Sequence, residues 1–248
     1  MSQTKIVGII IVLLVLAGVA GALLRKSSTP VTNTPILQSQ ESAASSSAPS
    51  LARQVRLSTD LSPDAQRILT SNIKKLQASL ARNYDNYGDW MDLAIRYKMA
   101  GDYDGAREIW EYISYIHPSE PVSLHNLGDL YAHYLKDYPK AEDYYKQAID
   151  AEPTQAIHYL ALFDLYRYSY KQNTNAAVDI LKLGIPRVVG NEAIDMYTAL
   201  GSYYQDKKDS ADAIIYFTKA RDGAQKAGNT ALVGQLDAQL AELKKQYP

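Results

Sequence analysis

The feature that most constrains this chain is a pattern of two amphipathic helices between residues 89 and 118. The first helix is indicated by apolar residues at the i, i+3, i+4 and i+7 spacing of a single helix face: Trp90, Leu93, Ala94 and Tyr97. Gly101 is expected to end it, because glycine adopts the left-handed cap conformation without a Cβ clash, and Asp102 is expected to cap the next helix. The buried face of that second helix is marked by Ala106, Trp110 and Ile113, and Pro118 closes the unit. The stretch therefore predicts a helical hairpin.

This hairpin pattern recurs along the chain at a spacing of about 34 residues. The predicted repeats occupy residues 87–120, 121–155, 156–190 and 194–227. In the second repeat, Gly128 lets the two helices approach closely, and one extra residue falls in the turn near Lys136. A lone helix is predicted over residues 63–82, and a capping helix with a polar outer face over residues 230–246.

The third repeat departs most from the pattern. Phe163 stands where glycine or alanine is expected, so the hairpin should splay or bring a compensating small residue opposite it. Its second helix is expected to bury Ala176, Ile180 and Leu183. Elsewhere, Ile68 is placed on the buried stripe of the lone helix, and Ser210 is expected to cap the second helix of the fourth repeat.

The spacing of aromatic, small and proline positions resembles the tetratricopeptide repeat. The resemblance extends from about Leu61 to Gln246. It implies an all-α fold, a right-handed superhelical array of helix-turn-helix repeats whose concave face is lined by the first helix of each repeat and binds peptides or partner helices. A generic helical bundle is the alternative fold.

The N-terminal part has a different character from the repeats. Residues 6–24 form an uncharged apolar run, just long enough to cross a hydrocarbon core of roughly 30 Å. An uncleaved single-pass anchor is expected within residues 1–26, because the run continues to Leu24 and ends at Arg25 and Lys26. A cleaved signal peptide with a small-residue site at Ala20 to Ala22 is the alternative. Residues 27–60, rich in Ser, Thr and Pro, are predicted to be a disordered linker that carries domain 61–248 outside the cytoplasm.

The candidate partner-binding groove consists of first-helix residues that hairpin packing does not require. They are Met91, Ile95, Lys98, Met99, His125, Asp129, His133, Leu160, Asp164, Arg167, Tyr168, Ser202 and Gln205. Met91, Ile95 and Met99 are expected to form an apolar patch that can repack around different ligands. The alternative is that the lone helix covers this patch.

Several functional classes find no support in the sequence. The net charge is −1, whereas nucleic-acid binders usually carry a basic surplus, so no nucleic-acid partner is expected. His125, Asp129 and His133 share a helix face but span about 12 Å, too far for one ion, so no metal site is predicted. His117 and His158 are interpreted as surface or packing residues. No nucleophile elbow, phosphate loop or zinc-protease motif occurs, so neither an enzyme nor a cofactor is expected.

These observations predict a membrane-tethered protein–protein interaction scaffold. Its groove would bind a peptide or helix of a partner protein in envelope-associated assembly, by analogy with bacterial repeat proteins. One alternative is a structural, self-associating membrane protein that uses the array as a spacer. Another is a non-catalytic accessory subunit of an envelope enzyme.

Overall fold

The computed structural model describes residues 47–188 and 190–246, and these residues form ten α-helices and no strand. The α-helices are α1 Pro63–Leu80, α2 Tyr87–Ala100, α3 Tyr103–Ile116, α4 Pro121–Leu130, α5 Tyr138–Ala151, α6 Ala156–Asp164, α7 Ala176–Gly184, α8 Glu192–Asp206, α9 Ser210–Lys226 and α10 Thr230–Gln246. Two π-helical segments, π1 Tyr131–Leu135 and π2 Leu165–Ser169, continue α4 and α6. The all-helical prediction is confirmed for this part of the chain.

The predicted membrane segment, residues 6–24, lies outside the described residues, as does the linker up to residue 46. Within residues 47–188 and 190–246, no helix combines the length and the apolar character that a membrane crossing requires.

Each helix packs on the next, so the fold is a series of hairpins: α2–α3, α4–α5, α6–α7 and α8–α9. α1 packs on α2 at one end, and α10 packs on α9 at the other. Gly101 ends α2 in the left-handed conformation with φ 83°, and the Asp102 side chain accepts a hydrogen bond from the Gly105 N–H at the start of α3. The local signals that predicted the first hairpin therefore act as expected.

Small residues set how closely the helices of a hairpin approach. A Cβ atom at Gly128 would lie 2.5 Å from the ring of Tyr145, and one at Gly201 would lie 2.6 Å from the ring of Phe217. In the third hairpin the small residue is Gly184 of the second helix, where a Cβ atom would lie 2.6 Å from the Tyr159 ring of the first helix. Phe163 is buried on the first helix, with its ring centroid 6.2 Å from that of Tyr203 in α8.

Three local predictions are wrong. In α7 the buried residues are Ala177, Val178, Leu181 and Gly184, whereas Ala176 and Ile180 are half-buried against the core and Leu183 is exposed. In α1, Leu69 is buried and Ile68 is exposed. Asp209, not Ser210, caps α9 by accepting from the Asp212 N–H.

The extra residue predicted near Lys136 is accommodated inside the helix. α4 passes into π1, and a π-turn takes more residues per turn than an α-turn. Lys136 then ends the segment in the left-handed conformation, with φ 56°. The third repeat uses the same solution, with π2 and a left-handed Lys171 at φ 60°. The π segments therefore belong to the first helices of the second and third repeats.

The predicted disordered linker, residues 27–60, includes a segment that contacts the first hairpin. Residues 50–58, here called the N-terminal strap, lie against the first hairpin. The Arg53 guanidinium pairs with Asp102 at 3.0 Å and with Glu108 at 2.9 Å. The Ser58 N–H donates to the Ala100 carbonyl oxygen at 2.7 Å. Alternate apolar residues of the strap pack against the core: Leu51, Val55 and Leu57. These apolar contacts and the ion pairs offset the entropy lost when the strap becomes ordered. A purely Ser-rich stretch would lack such contacts.

Candidate functional site

Side chains of the first helices contact the following repeat, which indicates that these helices lie side by side. Lys98 of α2 lies against the Tyr134 ring of π1. His125 of α4 meets His158 of α6. Arg167 of π2 pairs with Asp206 of α8, and Gln205 of α8 accepts from Gln239 of α10 at 2.7 Å. The candidate groove residues therefore belong to one surface that crosses all four hairpins.

An aromatic cleft opens at the N-terminal end of this surface. The cleft, here called the α2–α4 cleft, has a volume of about 390 Å³ and is lined by Ile95, Lys98, Met99, Tyr103, Trp110, Asn126 and Tyr134. Ile95 is 37% exposed and Met99 is 52% exposed, so both present apolar surface to solvent. An exposed apolar cleft of this kind is where ligands and partners bind.

A single cation lies among the aromatic rings of the cleft. The Lys98 ammonium is 5.4 Å from the centroid of Tyr134 and 6.0 Å from that of Trp110, within cation–π range. Among the seven described residues that line the cleft, Lys98 alone carries a charge. The cleft can therefore take an apolar group with an acceptor or an anion beside it.

Trp110 adds a polar feature to this apolar surface. Its side chain is buried, and its Nε1–H has no hydrogen-bond partner among the described residues. Buried donors are nearly always paired in folded proteins, so an unpaired one beside a cleft is unusual.

The groove prediction is wrong for Met91. Its side chain is only 9% exposed and belongs to the same apolar cluster as Leu69 and Ile73 of α1. Met91 therefore belongs to the core and not to the exposed groove surface. Ile95 and Met99, one and two turns further along α2, remain exposed.

The middle of the surface is more polar than the α2–α4 cleft. Asp129 accepts a hydrogen bond from the Tyr145 hydroxyl at 2.7 Å, which ties this carboxylate to α5. His133 and Asp164 are exposed, whereas Leu160 is half-buried against the core.

The C-terminal part of the surface is occupied by contacts between repeats. The Arg167 guanidinium lies 4.8 Å from the centroid of Tyr168 and 5.9 Å from that of Tyr203, and it pairs with Asp206. Ser202 is half-buried, and Gln205 is engaged by α10. Of the candidate residues in this part, Tyr168 presents the most open side chain, at 59% exposure.

Sequence reasoning missed two parts of this surface. The first is the far wall of the α2–α4 cleft, which consists of Tyr103, Trp110, Asn126 and Tyr134. The second is His158, which is only 4% exposed and whose Nδ1 atom lies 3.1 Å from Nδ1 of His125. The two histidines are 33 residues apart, almost one repeat, and this spacing was a usable signal that they would be neighbours.

Consecutive helical hairpins that share one surface define a helical-repeat protein. The family model of the tetratricopeptide repeat matches residues 122–155 and 194–220, which correspond to the second hairpin and to most of the fourth. The chain therefore contains tetratricopeptide repeats at these residues. The presence of these repeats supports a role as a scaffold for protein–protein interactions.

Two further comparisons do not add to this assignment. A crystal structure of MamA is similar to this chain at 19% sequence identity and a TM-score of 0.43, over 63% of this chain and 96% of that chain. No curated protein matches the sequence.

Proposed function

We propose that this chain is a membrane-tethered protein–protein interaction scaffold that holds a partner peptide or helix in the α2–α4 cleft. The observation that carries the proposal is the exposed pair Ile95 and Met99 beside the Lys98 ammonium, on the first helices of a repeat array. The uncharged apolar run at residues 6–24 supports the tether. The array would lie outside the cytoplasm and serve envelope-associated assembly.

The chemistry of the cleft defines what the partner presents. An apolar side chain buries against Ile95, Met99 and the two tyrosine rings, and methionine adapts to its shape. A carboxylate or a backbone carbonyl beside that side chain accepts from the Lys98 ammonium. Because Lys98 is held between aromatic rings, it loses little side-chain entropy when it binds.

The test is proximity labelling in native membranes with the double variant Ile95→Glu/Met99→Glu. Two added carboxylates make the cleft polar and repel an acidic ligand group, so specific neighbours should be lost. Met91 is left unchanged, because a charge at this buried position would destabilise the fold. The matched control is Ile68→Glu/Ile215→Glu, which adds the same charges at positions of similar exposure outside the cleft.

Three results separate the possibilities. Loss of neighbours in the cleft variant alone, at equal membrane level and equal thermal stability, supports the proposal and identifies the partner. Equal labelling by both variants and the wild type would show that the partner binds elsewhere. Labelling of the chain by its own copies alone would favour the self-associating structural protein.

A further inference from the structure

Two histidine side chains meet between the second and third repeats. His125 is on α4 and His158 is on α6, and their Nδ1 atoms lie 3.1 Å apart. The side chain of His158 is more than nine-tenths buried, and that of His125 is 15% exposed. The contact joins the first helix of one repeat to the first helix of the next.

The second nitrogen of each imidazole faces a carboxylate. His125 Nε2 lies 3.9 Å from Asp129 Oδ1, and His158 Nε2 lies 3.8 Å from Glu152 Oε2. No hydrogen bond reaches His158 Nε2, which is buried. The two halves of the site therefore have the same order: carboxylate, imidazole, and then the shared point between the two Nδ1 atoms.

Two neutral imidazoles cannot satisfy this arrangement. Each neutral ring has one N–H and one bare nitrogen. The Nδ1–Nδ1 contact needs a proton on one ring and a lone pair on the other. The ring that donates at Nδ1 then turns a bare Nε2 toward its carboxylate, so two electron-rich atoms lie 3.8–3.9 Å apart. A cation between the two Nδ1 atoms removes the conflict, because both Nε2 atoms then carry a proton toward a carboxylate.

We propose that His125 and His158 bind one divalent first-row transition metal ion between the second and third repeats. Two nitrogens that bind a tetrahedral zinc ion at its usual bond length are about 3.3 Å apart, close to the observed separation. Metal-binding histidines usually have a carboxylate beside the outer nitrogen, and here carboxylate oxygens of Asp129 and Glu152 lie 3.9 Å and 3.8 Å from it. Imidazole suits Zn²⁺, Ni²⁺ and Cu²⁺.

The surroundings of the pair fit this role. Burial lowers the pKa of both imidazoles, while the carboxylates of Asp129 at His125 and of Glu152 at His158 oppose this effect. An imidazole binds a metal through the lone pair of its neutral form. No group of three or more metal-binding side chains occurs among the described residues. The remaining coordination positions fall to water or to a donor of the bound partner, so the ion would pin two repeats together beside the groove.

The experiment is a titration of the tag-free full chain in mild detergent with Co²⁺ at neutral pH, followed by visible absorption and by competition with Zn²⁺. One equivalent of Co²⁺ is expected to bind, and His158→Gln should abolish this binding. Glu152→Gln changes only the outer carboxylate and should weaken binding by about ten- to a hundredfold. His117→Gln removes an exposed histidine elsewhere and should leave binding unchanged.

The variants keep the result interpretable. Glu152 is 42% exposed, so its substitution leaves the core intact even where His158→Gln perturbs folding. Unfolding curves recorded in chelator show whether each variant is folded. Binding that survives both His158→Gln and Glu152→Gln overturns the proposal. So does the absence of binding by the folded wild type, which would mean that the pair shares a proton.

Discussion

At the scale of single residues, Asp102 shows how one side chain joins separate parts of the chain. It caps α3 by accepting from the Gly105 N–H, and it accepts from the Arg56 N–H and the Arg53 guanidinium of the N-terminal strap. Burial by itself would raise the pKa of Asp102, but the hydrogen bonds from Arg53, Arg56 and Gly105 lower it. The carboxylate therefore stays ionised although it is 1% exposed.

Gly128 leads to a prediction at the same scale. Alanine favours an α-helix over glycine by about 1 kcal/mol, so Gly128→Ala would be stabilising if space allowed. A Cβ atom there would lie 2.5 Å from the Tyr145 ring, which is buried and hydrogen-bonded to Asp129. We expect the clash to prevail and unfolding to become easier by about 1–3 kcal/mol. Urea denaturation measures this change.

Gly234 provides the matched control. It lies inside α10, and nothing lies within 4 Å of the place where a Cβ atom would be. Gly234→Ala should therefore stabilise the chain by up to about 1 kcal/mol. Stabilisation by both substitutions would show that α4 and α5 can move apart to accept the Gly128→Ala methyl group without a loss of stability.

At the scale of helices, the two π segments link successive repeats through buried tyrosines. The Tyr131 hydroxyl donates to Glu111 of α3 at 3.0 Å, and the Tyr166 hydroxyl donates to Glu142 of α5 at 2.7 Å. Glu111 pairs with Arg107, and Glu142 pairs with Lys146 and Lys171. The first helices of the second and third repeats are thus each tied to the second helix of the preceding hairpin by a hydroxyl, and Lys171 adds an ion pair at Glu142.

The link at Glu142 predicts a pH-dependent stability. Burial would raise the pKa of Glu142, but hydrogen bonds from Lys146, Lys171 and Tyr166 lower it to about 2. The folded-state pKa is therefore below the unfolded value, so the contribution of Glu142 is present above about pH 4.5 and is lost as the pH falls towards 2. Glu142→Gln should cost about 1–3 kcal/mol at pH 7, and this cost should shrink in acid.

Measurement of the free energy of unfolding from pH 7 to pH 2.5 tests this prediction. Asp143→Asn is the control, because the neighbouring Asp143 carboxylate is exposed and accepts a hydrogen bond from Gln147 on the same helix. The control should change stability little at any pH. A penalty for Glu142→Gln that stays constant down to pH 2.5 would contradict the ionised link.

Most helices could be predicted because their signals are local. The apolar period of α2, the glycine at 101 and the cap at 102 lie within a few residues of one another. The stretch from Ala176 to Leu183 was ambiguous, since apolar residues follow the helical period in two registers one residue apart. The helical period alone does not choose between them.

Contacts distant in sequence account for what sequence reasoning missed. The strap depends on Arg53 meeting Asp102 across 49 residues, which a Ser-rich composition does not reveal. In the candidate groove, the exposure of Ile95 and Met99 could be predicted from the face of α2, but Met91 on the same face is buried by packing that the helical period does not reveal. The pairing of His158 with His125 depends on the position of two successive repeats.

At the scale of the whole array, the apolar core falls into two clusters. The larger one runs from α1 to Met196 and Leu200 of α8. The smaller one joins Ile194, Ala213, Phe217, Ala220, Ala224, Leu236, Leu240 and Leu243. α8 contributes to both clusters, whereas α10 belongs to the smaller one alone. In repeat proteins, stability is close to a sum over neighbouring units, so the two clusters should respond separately to damage.

Substitution in α10 tests this separation. Leu236→Ala/Leu240→Ala removes two buried side chains from the smaller cluster, at about 2–5 kcal/mol each. We expect amide hydrogen exchange to accelerate in α9 and α10, while α2 to α5 keep their protection. The mirror variant, Leu69→Ala/Ile73→Ala in α1, should expose α2 and leave α9 protected. Equal loss of protection along the array in both variants would instead mean that the hairpins unfold as one unit. Loss of protection in α9 and α10 alone would mean that the helices around the α2–α4 cleft stay folded when the C-terminal helices unfold locally.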